Sequence, residues 1–188
     1  MAGTICDNPA AYAEQLGQTL RRIDFAAVGR LAELLREAAN SEKRIYVMGN
    51  GGSAATAGHW VADLVKNTAV DGKPRLAVLS LTDNYSLTTA LGNDISFEES
   101  LRFPLSAYGR RGDIAIAISV SGNSPNLIRA CQWAKENGLT VVGLSGFSGG
   151  KLGQIADLHI NIPSDNYGVV EDLHLAIGHM VAQAVAAR

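Results

Sequence analysis

The chain has 188 residues, 47% hydrophobic and 18% charged, which is enough for one well-buried core and too little for two, so residues 1–188 are expected to form a single domain. Sixteen basic against eighteen acidic side chains give a formal charge of −2, which excludes the basic field that bulk nucleic-acid binding needs. Two cysteines, Cys6 and Cys131, a start without basic or apolar leader character and the lack of long apolar runs lead us to expect a cytoplasmic protein with neither a disulfide framework nor a membrane partner.

Residues 8–39 read as two helices. Asn8-Pro9 is a favourable start for the first, and Asp24 a favourable N-cap for a second carrying Val28, Leu31, Leu35 and Ala38. Their apolar stripes exceed what one sheet face covers, so residues 1–40 are assigned, within the same domain, to an oligomer surface. From Arg44 the pattern changes to short apolar runs at Ile45–Met48, Leu76–Leu81, Ile114–Ser119, Thr140–Leu144 and Leu158–Ile162. Strands buried on both faces look like this. Their alternation with helical segments near 53–66, 125–137 and 168–187 predicts an α/β fold, a doubly wound parallel sheet of five strands behind the N-terminal helical pair. In the flavodoxin-like order 2-1-3-4-5, the first and third strands flank the switch point at which ligands bind.

Those two strands lead into the two most informative loops. The first, Gly49-Asn50-Gly51-Gly52-Ser53, passes from strand to helix through a glycine turn. Helix N-termini offer unpaired N–H groups and the positive end of the peptide dipole, and glycine lets backbone approach an anion closely. The second, Ser119-Val120-Ser121-Gly122-Asn123-Ser124, precedes Pro125, a favourable first helical residue. Either loop alone reads equally well as an ordinary turn, but the pair points to a phosphorylated ligand. Gly49-x-Gly51-x-x-Ala54 satisfies a loose dinucleotide fingerprint, yet Asp83 comes too late to be its acidic residue. Gly146 to Lys151 resembles a P-loop with its first glycine one place late and Leu152 where magnesium needs Ser or Thr.

The helix after the first loop carries His59 and Asp63, an i, i+4 pair on one face, and the last helix carries Glu171, His174 and His179. A lone histidine reads first as a hydrogen-bonded structural residue, and His159, in the last strand, is assigned that role. The other three histidines fall in these two helices, which favours a metal or acid–base site.

At this point the sequence resembles a known family. Gly49-Asn50-Gly51-Gly52-Ser53 followed by His59, Gly92-Asn93-Asp94, Gly112-Asp113, Ser119-x-Ser121-Gly122-Asn123-Ser124, Gly149-Gly150 and Glu171-Asp172-Leu173-His174-x4-His179 are similar to the motifs of the sugar isomerase (SIS) domain, and within it of the phosphoheptose isomerases. The resemblance spans nearly the whole chain. It implies isomerisation of sedoheptulose 7-phosphate to D-glycero-D-manno-heptose 7-phosphate through an enediol, in a homotetramer with sites at subunit interfaces and zinc in some members. It places Ser53, Ser119, Ser121 and Ser124 on the phosphate, Asn50, Gly51 and Gly52 along the same crevice, and Asp94 on sugar hydroxyls. It makes His59, Asp63, Glu171 and His179 the zinc ligands, with Asp63, His179 and Glu171 as the acid–base groups.

Four positions depart from the family pattern. Asp63 stands where Glu is usual and Glu171 where Gln is usual, so one carboxylate is a methylene shorter and another donor gains a charge. The more anionic donor set favours a divalent ion, and it lets Glu171 share or take over the role of base. Val120 replaces a common Thr and Asn67 an Arg that often contacts substrate, which opens the choice of sugar. Two alternatives therefore stay open: an isomerase of another ketose phosphate, and a non-catalytic member that binds the bacterial replication initiator.

Overall fold

The computed structural model describes residues 5–187. Helices α1 (Pro9–Leu20) and α2 (Phe25–Asn40) precede β1 (Arg44–Met48), and α3 (Gly52–Ala62) runs on into a π turn, Asp63–Asn67. Then come β2 (Ala77–Ser80), α4 (Tyr85–Asp94), a 3-10 turn (Phe97–Glu99) and α5 (Arg102–Tyr108). The chain closes with β3 (Ile114–Ser119), α6 (Pro125–Glu136), β4 (Thr140–Ser145), α7 (Gly150–Ile155), β5 (Leu158–Asn161) and α8 (Tyr167–Ala186). The five strands form one parallel sheet in the order β2-β1-β3-β4-β5, as expected for a doubly wound fold.

Side-chain alternation divides the core into two layers. Ile45, Val47, Ile114, Ile116 and Ile118 face a layer built with Leu31 and Leu35 of α2, Trp60 of α3 and Ile177 and Val181 of α8. Tyr46, Met48, Ala115 and Ala117 face Leu105 of α5, Leu127 and Cys131 of α6 and Leu152 of α7. Burial pushes the Cys131 thiol up to about 12, which leaves it inert as a nucleophile. The expected caps are in place: Asn8 Oδ1 accepts from Ala11 N at 2.8 Å and Asp24 Oδ1 from Ala27 N at 3.0 Å. The apolar stripe of α2 is covered by α8 and the sheet within the chain. Helix α1 lies against α8, where the Tyr12 hydroxyl donates to Asp172 Oδ2 at 2.6 Å.

Helices α4, α5 and α7 have no counterpart in the sequence pattern. Helix α5 has seven residues with Pro104 inside it, and α7 has six, two of them glycine, so neither gives the repeat of apolar positions that marks a helix.

Two histidines are structural. Ser145 Oγ lies 2.7 Å from His159 Nε2, and burial lowers the pKa of that ring. His174 is wholly buried on α8, with Nε2 3.2 Å from the Ser145 carbonyl and Nδ1 without a partner. Its Nε2–H therefore donates and the ring stays neutral, its pKa held down to about 4 by burial. Because the unfolded chain binds this proton more readily, the contribution is complete above the unfolded value of about 6.5 and is lost as pH falls through about 4. At about 1.4 kcal/mol per pKa unit, roughly 3 kcal/mol is at stake. Urea midpoints measured from pH 7 to pH 4 are expected to fall, and His174→Gln to flatten that fall; an equally steep profile in the variant counts against this account.

Candidate active site

The first loop leaves β1 at Met48, and its glycines answer either to crowding, at Gly49 and Gly52, or to backbone conformation, at Gly51. A Cβ on Gly49 would lie 2.6 Å from the Ser53 carbonyl oxygen, and Gly51 sits at φ +54°, where an L side chain is strained. A Cβ on Gly52 would lie 2.7 Å from Glu171 Cδ, so the Glu171 carboxylate rests directly on the first residue of α3. Ser53 is buried beneath this turn.

The second loop leaves β3 at Ser119, whose Oγ lies 3.3 Å from Ser124 Oγ. Gly122 has φ +64° and packs against Gly149, whose carbonyl carbon a Cβ there would meet at 2.8 Å. The start of α7 braces this loop: Leu152 N donates to the Gly122 carbonyl at 2.9 Å and Lys151 N to Asn123 Oδ1 at 3.0 Å. Ser121 Oγ accepts from Asn123 N at 3.2 Å. The two loops meet through side chains, Asn50 Nδ2 donating to Asn126 Oδ1 at 2.8 Å and Asn126 Nδ2 to Asn50 Oδ1 at 2.9 Å. They therefore lie side by side at the carboxyl ends of β1 and β3, where a doubly wound sheet binds its ligands.

A second cluster lies farther along α3. Trp60 Nε1 donates to the His174 carbonyl at 3.1 Å, and a Cβ on Gly178 would lie 2.5 Å from Trp60 Cδ1, so α3 and α8 touch where α8 has no side chain. This approach brings His59 and Asp63 to His179. Asp63 Oδ2 is 2.8 Å from His179 Nδ1 and 3.5 Å from His59 Nε2, and the two rings lie edge to face at 5.0 Å. The other oxygen, Oδ1, accepts from Asn67 Nδ2 at 2.8 Å. Asn67, at the Arg position of the family pattern, thus steadies the carboxylate across the π turn. Such turns are frequent at functional sites.

One donor atom from each of His59, Asp63 and His179 lies within 4.8 Å of the others. Two imidazoles and a carboxylate suit zinc or another small divalent ion, with coordination positions left for substrate oxygens. Glu171 is not in this group. Eight residues separate it from His179, about 12 Å along α8, and helical side chains lean toward the helix N-terminus, which carries its carboxylate over Gly52 instead. Asp94 is exposed at the end of α4; its carboxylate accepts from Asn93 Nδ2 at 2.7 Å and, among the described residues, has no hydrogen bond to either loop. Asn126 and Gly178 are the residues that sequence reasoning misses. Each acts through a contact distant in the chain that no local spacing marks.

Comparison with known proteins adds a family. The SIS domain model matches residues 11–146. The chain is 37% identical over 159 residues to the phosphoheptose isomerase of Rhodospirillum rubrum, covering 85% of this chain and 84% of that one. It is 39% identical over 180 residues to that of Bordetella avium, covering 94% and 89%. Among solved structures, a phosphoheptose isomerase from Francisella tularensis superposes with a TM-score of 0.88 at 26% identity, covering 95% of this chain and 96% of that one. One from Neisseria gonorrhoeae gives 0.87 at 31% identity with the same coverage.

Proposed function

Since the chain belongs to the SIS domain family and has the phosphoheptose isomerases as relatives over most of its length, we propose that it is an aldose–ketose isomerase converting sedoheptulose 7-phosphate to D-glycero-D-manno-heptose 7-phosphate through an enediol. The observation that carries this reading is the layout along α3. Its N-terminus forms the anion crevice, and seven residues beyond Gly52, about 10 Å along the axis, His59 begins the acid–base cluster. An extended seven-carbon sugar phosphate spans such a distance, with its phosphate at one end and C1 and C2 at the other.

In this reading Ser53, Ser119, Ser121 and Ser124 donate hydroxyl hydrogen bonds to the phosphate, beside the N–H groups at the start of α3. Asn50, Gly51 and Gly52 line the crevice, and Glu171 and Asp94 accept from sugar hydroxyls. Asp63 takes the proton from C1 and returns it to C2, while His179 carries a proton between the oxygens on those carbons. The enediol forms and collapses with no net gain or loss of atoms. His59, Asp63 and His179 would hold zinc or a similar ion, with Glu171 as a further ligand if its side chain swings down α8. When bound, the ion supplies Lewis-acid polarisation of the oxygens on which charge develops. Holding the carbonyl end in this way leaves the protein's own groups only short proton transfers.

The assembly inferred is a cytoplasmic homotetramer of single-domain chains. Exposed Ile95, Phe97 and Phe103 around the 3-10 turn supply apolar surface for such contacts. No helix among the described residues is long and apolar enough to cross a membrane.

The test is proton NMR with sedoheptulose 7-phosphate in heavy water, before and after chelation, on a preparation whose mass is read by light scattering. The expected result is an aldose 7-phosphate carrying deuterium at C2, lost on chelation and restored by zinc, from a particle of four chains. Binding without product or exchange would overturn the activity in favour of a non-catalytic binding protein, and product from another ketose phosphate alone would overturn the substrate. Full turnover from a monomer would overturn the assembly.

A further inference from the structure

Asn126, the second residue of α6, is only 1% exposed, so it touches no substrate. Its carboxamide is nevertheless saturated. Oδ1 accepts from Asn50 Nδ2 at 2.8 Å and from Leu127 N at 3.0 Å, while Nδ2 donates to Asn50 Oδ1 at 2.9 Å and Ser100 Oγ at 3.0 Å. One amide thereby joins three chain segments: the first loop through Asn50, the second through the start of α6 two residues after Ser124, and the segment after the 3-10 turn through Ser100. The 2.8 and 2.9 Å bonds form a reciprocal pair across 76 positions of sequence. No other side-chain hydrogen bond among the described residues runs between the two loops. A buried network of this kind is fully made or costly, because a group left unpaired has no water to turn to.

We propose that Asn126 is the positioning residue that sets the spacing between the two loops, so that a ligand long enough to engage both is held and one that engages only the second loop is indifferent to it. The proposal rests on the isomerase reading for the identity of that ligand. A free phosphate can re-centre on Ser119, Ser121 and Ser124 when the first loop shifts away; the phosphate of a sugar held also at its other end cannot, and needs Ser53 and the second loop at one fixed distance. Asn126→Asp is the informative change. It keeps the shape, an acidic residue is tolerated in the first turn of a helix, and Leu127 N keeps its acceptor, but an oxygen now confronts Asn50 Oδ1 where a donor stood. Asn126→Ser removes the pair without adding charge and serves as the second variant.

Calorimetry on the full chain with sedoheptulose 7-phosphate and, separately, inorganic phosphate reads the outcome. Because small misplacements of reacting groups cost large factors, affinity for the sugar phosphate is expected to fall about tenfold in both variants, with kcat falling as well. Affinity for inorganic phosphate stays within about twofold of the parent, since Ser119, Ser121 and Ser124 keep their places and a small anion re-centres on them. Unchanged sugar-phosphate affinity, or a parallel loss for both ligands, overturns the positioning role. If the parent chain binds both and does not isomerise the sugar phosphate, the isomerase reading falls alone and the affinity ratio still decides this one.

Discussion

Asp63→Asn is expected to lower kcat by about 10²- to 10⁴-fold, the range general acid–base groups contribute, and to strip bound metal from protein purified without chelator. One carboxylate serves three neighbours: Oδ2 lies 2.8 Å from His179 and 3.5 Å from His59, and Oδ1 accepts from Asn67 at 2.8 Å. An amide cannot repeat this. If its oxygen stays on Asn67, its NH2 faces the histidines and blocks a shared ion; if it flips, two NH2 groups confront each other across the π turn. Turnover and elemental analysis on the same sample check both halves of the expectation. A variant that keeps more than about a tenth of parental kcat would move the proton transfer at C1 from Asp63 to Glu171, the other carboxylate of the crevice.

The second large effect is on packing. Gly178→Ala puts a methyl group 2.5 Å from Trp60 Cδ1, in a fully buried helix contact with no slack around it. Overpacking of this kind costs about 1–3 kcal/mol, and for a chain of this size each kcal/mol lowers Tm by about 2–4 °C. The distinctive consequence is at a distance from the new methyl. Relief by separating α3 from α8 draws His59 and Asp63 away from His179, so metal retention and kcat are expected to fall at temperatures where the variant is still fully folded. Circular dichroism melts paired with metal content check this. A variant with lowered Tm but parental metal content would show that Trp60 yields instead of the helices.

The strands were legible because parallel strands buried on both faces leave unbroken apolar runs, and all five runs became strands. The parallel, doubly wound sheet followed from alternation with helices, and the two loops converged because they leave neighbouring strands. His59, Asp63 and His179 were legible from helical spacing and the clustering of histidines. What escaped has a common physical cause. Asn126 and Gly178 act through partners set by how helices and loops pack, and a single residue does not announce such a partner. Glu171 shows the limit of spacing arguments: it lies on the same helix as His179, yet about two turns nearer the N-terminus, and the N-terminal lean of its side chain carries it onto Gly52 of the loop in place of the histidines.

The clamp between Asn50 and Asn126 also determines what the crevice ignores. Carboxamides neither gain nor lose a proton across the biological pH range, and being uncharged they are not weakened by dissolved salt as ion pairs are. A lysine–carboxylate clamp in the same place would loosen with ionic strength and would add its own field to that of an arriving dianion. Here the frame is electrically silent. The salt and pH response of ligand binding should therefore come from the ligand and the groups that touch it, with the width of the crevice staying constant throughout.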